Sequence, residues 1–188
     1  MSSDRILLTG GTGFIGRRLL AKLLNGGSEV YLLARSGSTE KARKIIEGMG
    51  ETKGRAAVVS GDVMRRGLFD DSSVASEMAE KITKVIHLAA VYDISMPRAL
   101  GMAINYGGTE NVLNFCEKAQ GLERLAYAGT VAVSGRHPGI FREDDLDIGQ
   151  QFRNAYDETK FLAEKLVRSR MGNIPTVIYR PTIVIGDS

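Results

Sequence analysis

The chain has 188 residues, 43% hydrophobic and 25% charged, with 22 glycines, one cysteine, two histidines and a net charge of +3. That length supports one domain with a proper core and is short for two full ones, and the ordinary apolar content excludes wholesale disorder. No apolar run approaches the ~18 residues of a membrane span, one cysteine excludes an internal disulfide framework, and Cys116, His87 and His137 are too few for a zinc site, so no metal is expected. The basic residues are scattered among acids, which does not suit nucleic acid. Met1-Ser2-Ser3-Asp4-Arg5 lacks the apolar core of a signal peptide, so a reducing cytoplasm is the expected setting.

In chain order, six short apolar runs read as strands: Ile6–Thr9, Val30–Ala34, Ala56–Ser60, Val85–Ala89, Arg124–Ala128 and Thr176–Tyr179. They are nearly continuous rather than alternating, the pattern of strands buried on both faces of a parallel sheet. Between them fall helical patterns. Phe14, Leu19, Leu20, Leu23 and Leu24 make a stripe that ends at Asn25-Gly26-Gly27. Weaker stripes cover Lys41–Met49 and Val74–Lys81, and stronger ones Pro97–Ala119 and Ala155–Met171. The alternation predicts a doubly wound α/β sheet of the Rossmann type, one nucleotide-binding domain over 1–188, with right-handed crossovers. Val131 to Asn154 breaks the rhythm as a long connection carrying Glu143, Asp144, Asp145 and Asp147. Connections this long are functional or mobile as a rule, and this one is expected to border a substrate site, its acids solvated. Gly107-Gly108 inside a helix costs about 1 kcal/mol per residue against Ala and implies close packing or cofactor approach.

Three local signals carry chemistry. Thr9-Gly10-Gly11-Thr12-Gly13-Phe14-Ile15-Gly16 lies between the first strand and the first helix. Glycines at 10, 13 and 16 permit a tight turn, close approach of a pyrophosphate to backbone N–H groups, and close helix packing. A P-loop is excluded, because Gly16 is followed by Arg17-Arg18. About 20 residues beyond the glycines an NAD site places an acid for the ribose 2′-OH. Here the chain reads Leu33-Ala34-Arg35-Ser36, a cation suited to a 2′-phosphate. One charge-assisted hydrogen bond of about 1.5–3 kcal/mol gives roughly ten- to hundredfold preference for NADP, with NAD the second candidate. After the third strand, Asp62 of Gly61-Asp62-Val63 is placed to accept from an adenine amino group or to shape a turn. Tyr156 and Lys160 stand at i and i+4 on one helical face. A phenol is a poor acid–base group near pH 7, and a neighbouring cation would bring its pKa down. Thr130 ends the fifth strand, at the sheet edge where ligands of such folds lie.

Taken together, Thr9–Gly16, Gly61-Asp62-Val63, Val85-Ile86-His87-Leu88-Ala89-Ala90, Asn105-x-x-Gly108-Thr109-x-Asn111-Val112-Leu113, Thr130, Tyr156 with Lys160, and Arg180-Pro181-Thr182 resemble the extended short-chain dehydrogenase/reductases. The resemblance implies Tyr156 as proton donor, Lys160 as its pKa partner and ribose clamp, Thr130 bonded to the substrate oxygen, and Asn105 as support at the cofactor end. It also implies that Gly10, Thr12, Gly13, Phe14, Ile15, Gly16, Arg35, Ser36, Asp62, Val63, Leu88, Ala89, Ala90, Pro181, Thr182 and Ile183 lie along the dinucleotide. Sugar epimerases of this family usually carry an acid where Arg35 stands and an Asn where Ile183 stands, and dehydratases continue the catalytic Thr with Asp-Glu rather than Val131-Ala132. Arg180-Pro181-Thr182-Ile183-Val184-Ile185-Gly186-Asp187-Ser188 is instead similar to the male-sterility branch, the fatty acyl-CoA and thioester reductases, with ketone reductases related to dihydroflavonol reductase as close competitors. The implied substrate is a small-molecule carbonyl or an acyl thioester. Extended members carry a C-terminal substrate domain after the Arg-Pro segment, so a part of a longer or multidomain reductase is the expectation, and a homodimer is expected by analogy. A non-catalytic dinucleotide sensor is the reading from another class, and an NAD-dependent sugar epimerase or dehydratase the second enzyme reading. His87 and Cys116 read as structural.

Overall fold

The structure, a computed structural model, describes residues 4–50 and 54–186; residues 1–3 and 187–188, on which the readings of the chain start and of the last two positions rest, lie outside them. Six strands, β1 (Arg5–Thr9), β2 (Glu29–Ala34), β3 (Ala56–Ser60), β4 (Lys84–His87), β5 (Arg124–Ala128) and β6 (Thr176–Tyr179), pair in parallel in the order β3-β2-β1-β4-β5-β6. The connecting helices are α1 (Phe14–Asn25), α2 (Thr39–Glu47), α3 (Ser72–Lys81), α4 (Arg98–Gly101), α5 (Gly108–Cys116) and α6 (Ala155–Arg170). The strand order reverses between β1 and β4, and the carboxyl ends of these two strands open the crevice in which such sheets hold ligands.

The continuous apolar runs follow from burial on both faces. Along β1, Leu7 packs toward α5 and α6 with Leu113, Phe115 and Val167, while Ile6 and Leu8 pack toward α1 and α2 with Leu20, Leu24 and Ala42. The edge strands β3 and β6 are covered less completely, and Val177 and Tyr179 are exposed. Two elements differ from the sequence expectation. β4 ends at His87 rather than Ala89, because the last ladder bond, from Leu88 N–H to the Thr9 carbonyl at 3.2 Å, is the point where the Gly10 turn leaves the sheet. The expected helix Pro97–Ala119 is interrupted by a π-helical turn, Met102–Gly107, between α4 and α5. Such an inserted residue re-aims the side chains around it and is common at functional sites.

The connection 131–154 is packed rather than loose. It begins with a 3₁₀ turn, Val131–Ser134, and buries Val133 and Leu146 against Phe161 of α6. The Gln150 amide donates to the carbonyls of Val133 and Leu146 at 2.8 and 2.7 Å, closing it upon itself. Among the described residues no cluster of His, Cys, Asp and Glu could hold a metal ion, and no helix is long and apolar enough to cross a membrane.

Candidate active site

A cleft of about 480 Å³ follows the carboxyl ends of β1, β2, β3 and β4. Its floor is the glycine turn. Gly10 has φ +71°, and a Cβ there would stand 2.7 Å from the Ala89 nitrogen; one at Gly16 would stand 2.2 Å from the Gly10 carbonyl oxygen. Glycine is therefore required at both places, at the first for conformation and at both for space. Gly13 is the N-cap of α1, with no side-chain cap and no acid in the first turn, so the first N–H groups of the helix face an uncompensated opening suited to phosphate. Thr12, Gly13, Arg35, Asp62, Val63, Leu88, Ala89 and Ala90 line the cleft together with Gly10.

At the end of β2, Arg35 opens into the cleft, exposed. Ser36, the predicted companion, does not line it; Ser38 does. The Ser38 N–H donates to the Arg35 carbonyl at 2.7 Å, and this tight turn, with its three-residue repeat, brings position 38 back over Arg35. The wall after β3 is a closed loop: Asp62 accepts from Met64 N–H at 2.9 Å, and the Asn111 amide donates to the Val63 carbonyl at 2.8 Å. Gly108 lets α5 approach, since a Cβ there would meet Val63 Cγ2 at 3.0 Å. Asp62 thus shapes a turn and also lines the cleft.

The expected catalytic residues Thr130, Tyr156 and Lys160 do not line the cleft; they stand behind its Tyr92 wall. Thr130 caps the 3₁₀ turn, its Oγ1 accepting from Ala132 N–H at 3.2 Å. Tyr156 stands in the first turn of α6 beside Tyr92, ring centroids 4.9 Å apart and perpendicular. Burial pushes the Tyr156 phenol above its ordinary pKa, and its hydrogen bond with Thr130 works against that rise. The cation expected to bring this phenol down is engaged elsewhere. Lys160 is buried, and its Nζ donates to the Tyr127 phenol oxygen at 3.1 Å and to the Ala128 carbonyl at 2.7 Å. Shared helical phase puts Tyr156 and Lys160 on one side of α6, but the long lysine side chain follows the nearest acceptors down to the sheet. Burial lowers the Lys160 pKa to about 8, a fall that the charge of Glu164, one turn further along α6, opposes.

Asn105 sits in the π-helical turn, buried, and does not line the cleft. Its Oδ1 accepts from Val91 N–H at 2.9 Å, and its amide donates to the Val91 carbonyl and to Thr159 at 3.3 and 3.2 Å, so it pins the cleft wall to α6. Phe14, Ile15, Gly16, Pro181, Thr182 and Ile183 are also outside the lining. Ile183 is 83% exposed, and Pro181 accepts from Val131 N–H at 3.2 Å, beyond the Thr130 end. Sequence reading missed Leu33, Ala34, Ser38, Met64, Val91, Tyr92 and Ile104 of the lining. Of these only Ser38 and Tyr92 carry a polar side-chain group.

Beneath the cleft runs a buried polar chain. Ala89 N–H donates to Thr9 Oγ1 at 3.2 Å; Thr9 and His87 Nδ1 are 2.7 Å apart; His87 Nε2 and Thr109 Oγ1 are 3.1 Å apart; and Thr109 donates to the Asn105 carbonyl at 2.6 Å. Because the Thr109 hydrogen is used on Asn105, His87 must donate from Nε2 and accept at Nδ1. Burial, with the Lys160 charge nearby, holds the imidazole neutral, its pKa lowered to about 3. A second node lies further along α6, one turn beyond Lys160. Glu164, fully buried, receives Arg180 at 2.7 Å and Arg168 at 3.1 Å. The same two guanidinium groups donate to the carbonyls of Arg142, Glu143, Asp144 and Asp145, so Glu164 ties the long connection to the helix that carries Tyr156.

A dinucleotide-binding α/β fold, with an uncapped helix N-terminus under its cleft and a Thr–Tyr pair beyond β5, is the class that these features define. Residues 8–188 match the NAD-binding family described as male sterility protein, and the chain belongs to it. It is 29% identical over 193 residues to a 3β-hydroxysteroid dehydrogenase/Δ5→4-isomerase of Mycobacterium tuberculosis, covering 97% of this chain and 48% of that protein. It is 26% identical to the fatty acyl-CoA reductase wat of Drosophila melanogaster, over 96% of this chain and 43% of that one. Among solved structures, the terminal R domain of the myxalamid PKS-NRPS pathway superposes with a TM-score of 0.87 at 28% identity, covering 99% of this chain and 50% of that chain. The chain thus spans about half the length of the relatives it matches. Those relatives are dehydrogenases and reductases, and the extended short-chain fold expected from the sequence is the fold observed.

Proposed function

We propose that this chain is the cofactor domain of an NADP-preferring reductase acting on an acyl thioester or another carbonyl, and that it belongs to a longer or multidomain protein. The observation that carries the reading is a cleft with Arg35 and Ser38 at its β2 end and Tyr92 in its wall, against which Tyr156, the neighbour of Thr130, is stacked. Similarity to a fatty acyl-CoA reductase and to a terminal reductase domain favours the thioester; the steroid dehydrogenase favours a ketone or alcohol as the second reading.

The residues fit a nicotinamide dinucleotide: Gly10 and Gly16 leave a cradle that a Cβ would fill, and the α1 N-terminus offers N–H groups to the pyrophosphate. Bound there, the group supplies the hydride. Arg35, joined by the Ser38 hydroxyl, binds the 2′-phosphate. Thr130 donates to the carbonyl oxygen of the substrate and orients it. Tyr156, neutral at pH 7 and with its pKa raised by burial, transfers its proton to that oxygen as negative charge develops.

The test is paired binding of NADPH and NADH to the chain and to Arg35→Ala. NADPH should bind about ten- to hundredfold more tightly, and the difference should vanish in the variant. Equal or tighter NADH binding by the unmodified chain would overturn the assignment and favour the epimerase reading.

A further inference from the structure

Lys160 is enclosed by the protein, yet its surroundings are unusual for an ammonium. Among the described residues it forms no ion pair. Its hydrogens meet two acceptors, the Tyr127 phenol oxygen and the Ala128 carbonyl, and its Nζ stands 4.6 Å from the centroid of the Tyr127 ring. Tyr127 is itself fully buried, next to the last residue of β5, where it cannot follow the lysine. Its phenol interacts with Thr109, the same hydroxyl that receives His87 and donates to the Asn105 carbonyl. The place occupied by Lys160 is therefore built from fixed groups, and those groups connect through Thr9 and Asn105 to the backbone of Ala89 and Val91 in the cleft wall.

We propose that Tyr127 is a positioning residue for Lys160: it holds the ammonium at rest against the sheet, away from the Tyr156 end of the site, until a bound nicotinamide dinucleotide draws it out. This rests on the reading of the cleft as a dinucleotide site. Lys160 lies one helical turn beyond Tyr156, so a change of side-chain rotamer is enough to bring it to the ribose side. In the resting place one of its three hydrogens lacks an acceptor of its own. Ribose hydroxyls supply acceptors that compete with Tyr127 and Ala128. Binding must then break the Tyr127 bond, and the apparent affinity is reduced by the fraction of molecules in which the lysine is at rest.

The consequence is a sign that a scaffolding role does not give. Tyr127→Phe keeps the ring and removes the acceptor. The phenol's contact with Thr109 is lost in the resting and bound states alike, whereas its bond to Lys160 is lost from the resting state alone, so NADPH should bind about three- to tenfold more tightly than to the unmodified chain. In a Lys160→Met background the same change should have no effect on affinity. A direct readout comes from the protein without nucleotide, labelled with ¹³C-lysine. The Lys160 ε-methylene should resonate upfield under the Tyr127 ring current, and NADPH should return it toward the ordinary lysine position. Looser binding by Tyr127→Phe, an effect that persists without Lys160, or a Lys160 signal with no upfield shift would each overturn the inference. Those results leave the functional reading in place, whereas failure of both NADPH and NADH to bind the unmodified chain overturns the reading and, with it, the release of Lys160.

Discussion

His87 gives the structure a defined acid sensitivity. The imidazole is fully enclosed, uses both nitrogens on Thr9 and Thr109, and has its pKa lowered to about 3, with burial the larger cause and the Lys160 charge the smaller. In the unfolded chain an ordinary histidine takes up a proton near pH 6.5. Between these two values the unfolded state binds the proton and the folded state does not, so stability falls as pH falls through that window, at about 1.4 kcal/mol per unit once well below 6.5. From pH 7 to pH 4.5 the loss from this one group is about 2.5 kcal/mol, a large part of an ordinary domain's stability. His87→Gln offers Thr9 an acceptor and Thr109 a donor without a titrating ring. The variant is expected to be about 1–3 kcal/mol less stable at pH 7, with that gap narrowing by about 2.5 kcal/mol at pH 4.5. Urea unfolding at the two pH values measures both, and subtraction removes the carboxylates common to the two proteins. A gap that stays constant, or a His87 resonance that titrates above pH 5, would refute the account.

Two further outcomes follow from packing. Gly16→Ala must displace the backbone at Gly10 and Gly11, which its Cβ would meet at 2.2 and 2.5 Å; thermal unfolding should show a loss of about 1–3 kcal/mol, with nucleotide affinity falling too, whereas Gly37→Ala, in open space, should change stability by less than about 0.5 kcal/mol. Glu164→Gln leaves Arg180 and Arg168 without their buried counter-charge, a loss of about 3–5 kcal/mol by denaturant unfolding, and hydrogen exchange should rise across residues 141–147 while the sheet amides stay protected; uniform exchange would show that the node does not hold the connection.

Much of the fold was legible because a parallel sheet imposes a strong local signature. β1 and β2 are buried on both faces, and continuous runs such as Ile6-Leu7-Leu8 have no other economical explanation in a chain this polar elsewhere. The glycine turn was legible for the same kind of reason, since only glycine satisfies both φ +71° at Gly10 and the 2.2 Å approach at Gly16. The π-helical turn was not. Gly107 and Gly108 signal a weakened helix, but they do not say whether the chain responds with a kink or an inserted residue, and the contacts Val63 makes with Gly108 and Asn111 come from the loop after β3. Those contacts are far apart in sequence and leave no periodicity to read.

The site divides along the same line. Positions fixed by the backbone of an element, Thr130 at the end of β5 or Tyr156 in the first turn of α6, follow once the element is known. Positions fixed by the reach of a side chain do not. Lys160 obeys the helical spacing that links it to Tyr156, yet four methylenes carry its charge to Tyr127 and Ala128, and no spacing rule could supply that, because the acceptors belong to a strand more than thirty residues away. Arg180 shows the opposite case. Its place in an Arg-Pro segment marked it without giving it a task, and the task is set by Glu164 two turns beyond Tyr156 on α6, which holds it with Arg168 against the carbonyls of residues 142–145. The carboxylate thus fixes the angle at which the long connection leaves the Tyr156 helix. A fully enclosed Glu with two arginines costs desolvation that an apolar trio would avoid. A pair of guanidinium forks, however, can hold four carbonyls of an irregular segment at once, and a loop that lacks ladder bonds of its own needs donors of that reach to stand as a wall beside Thr130.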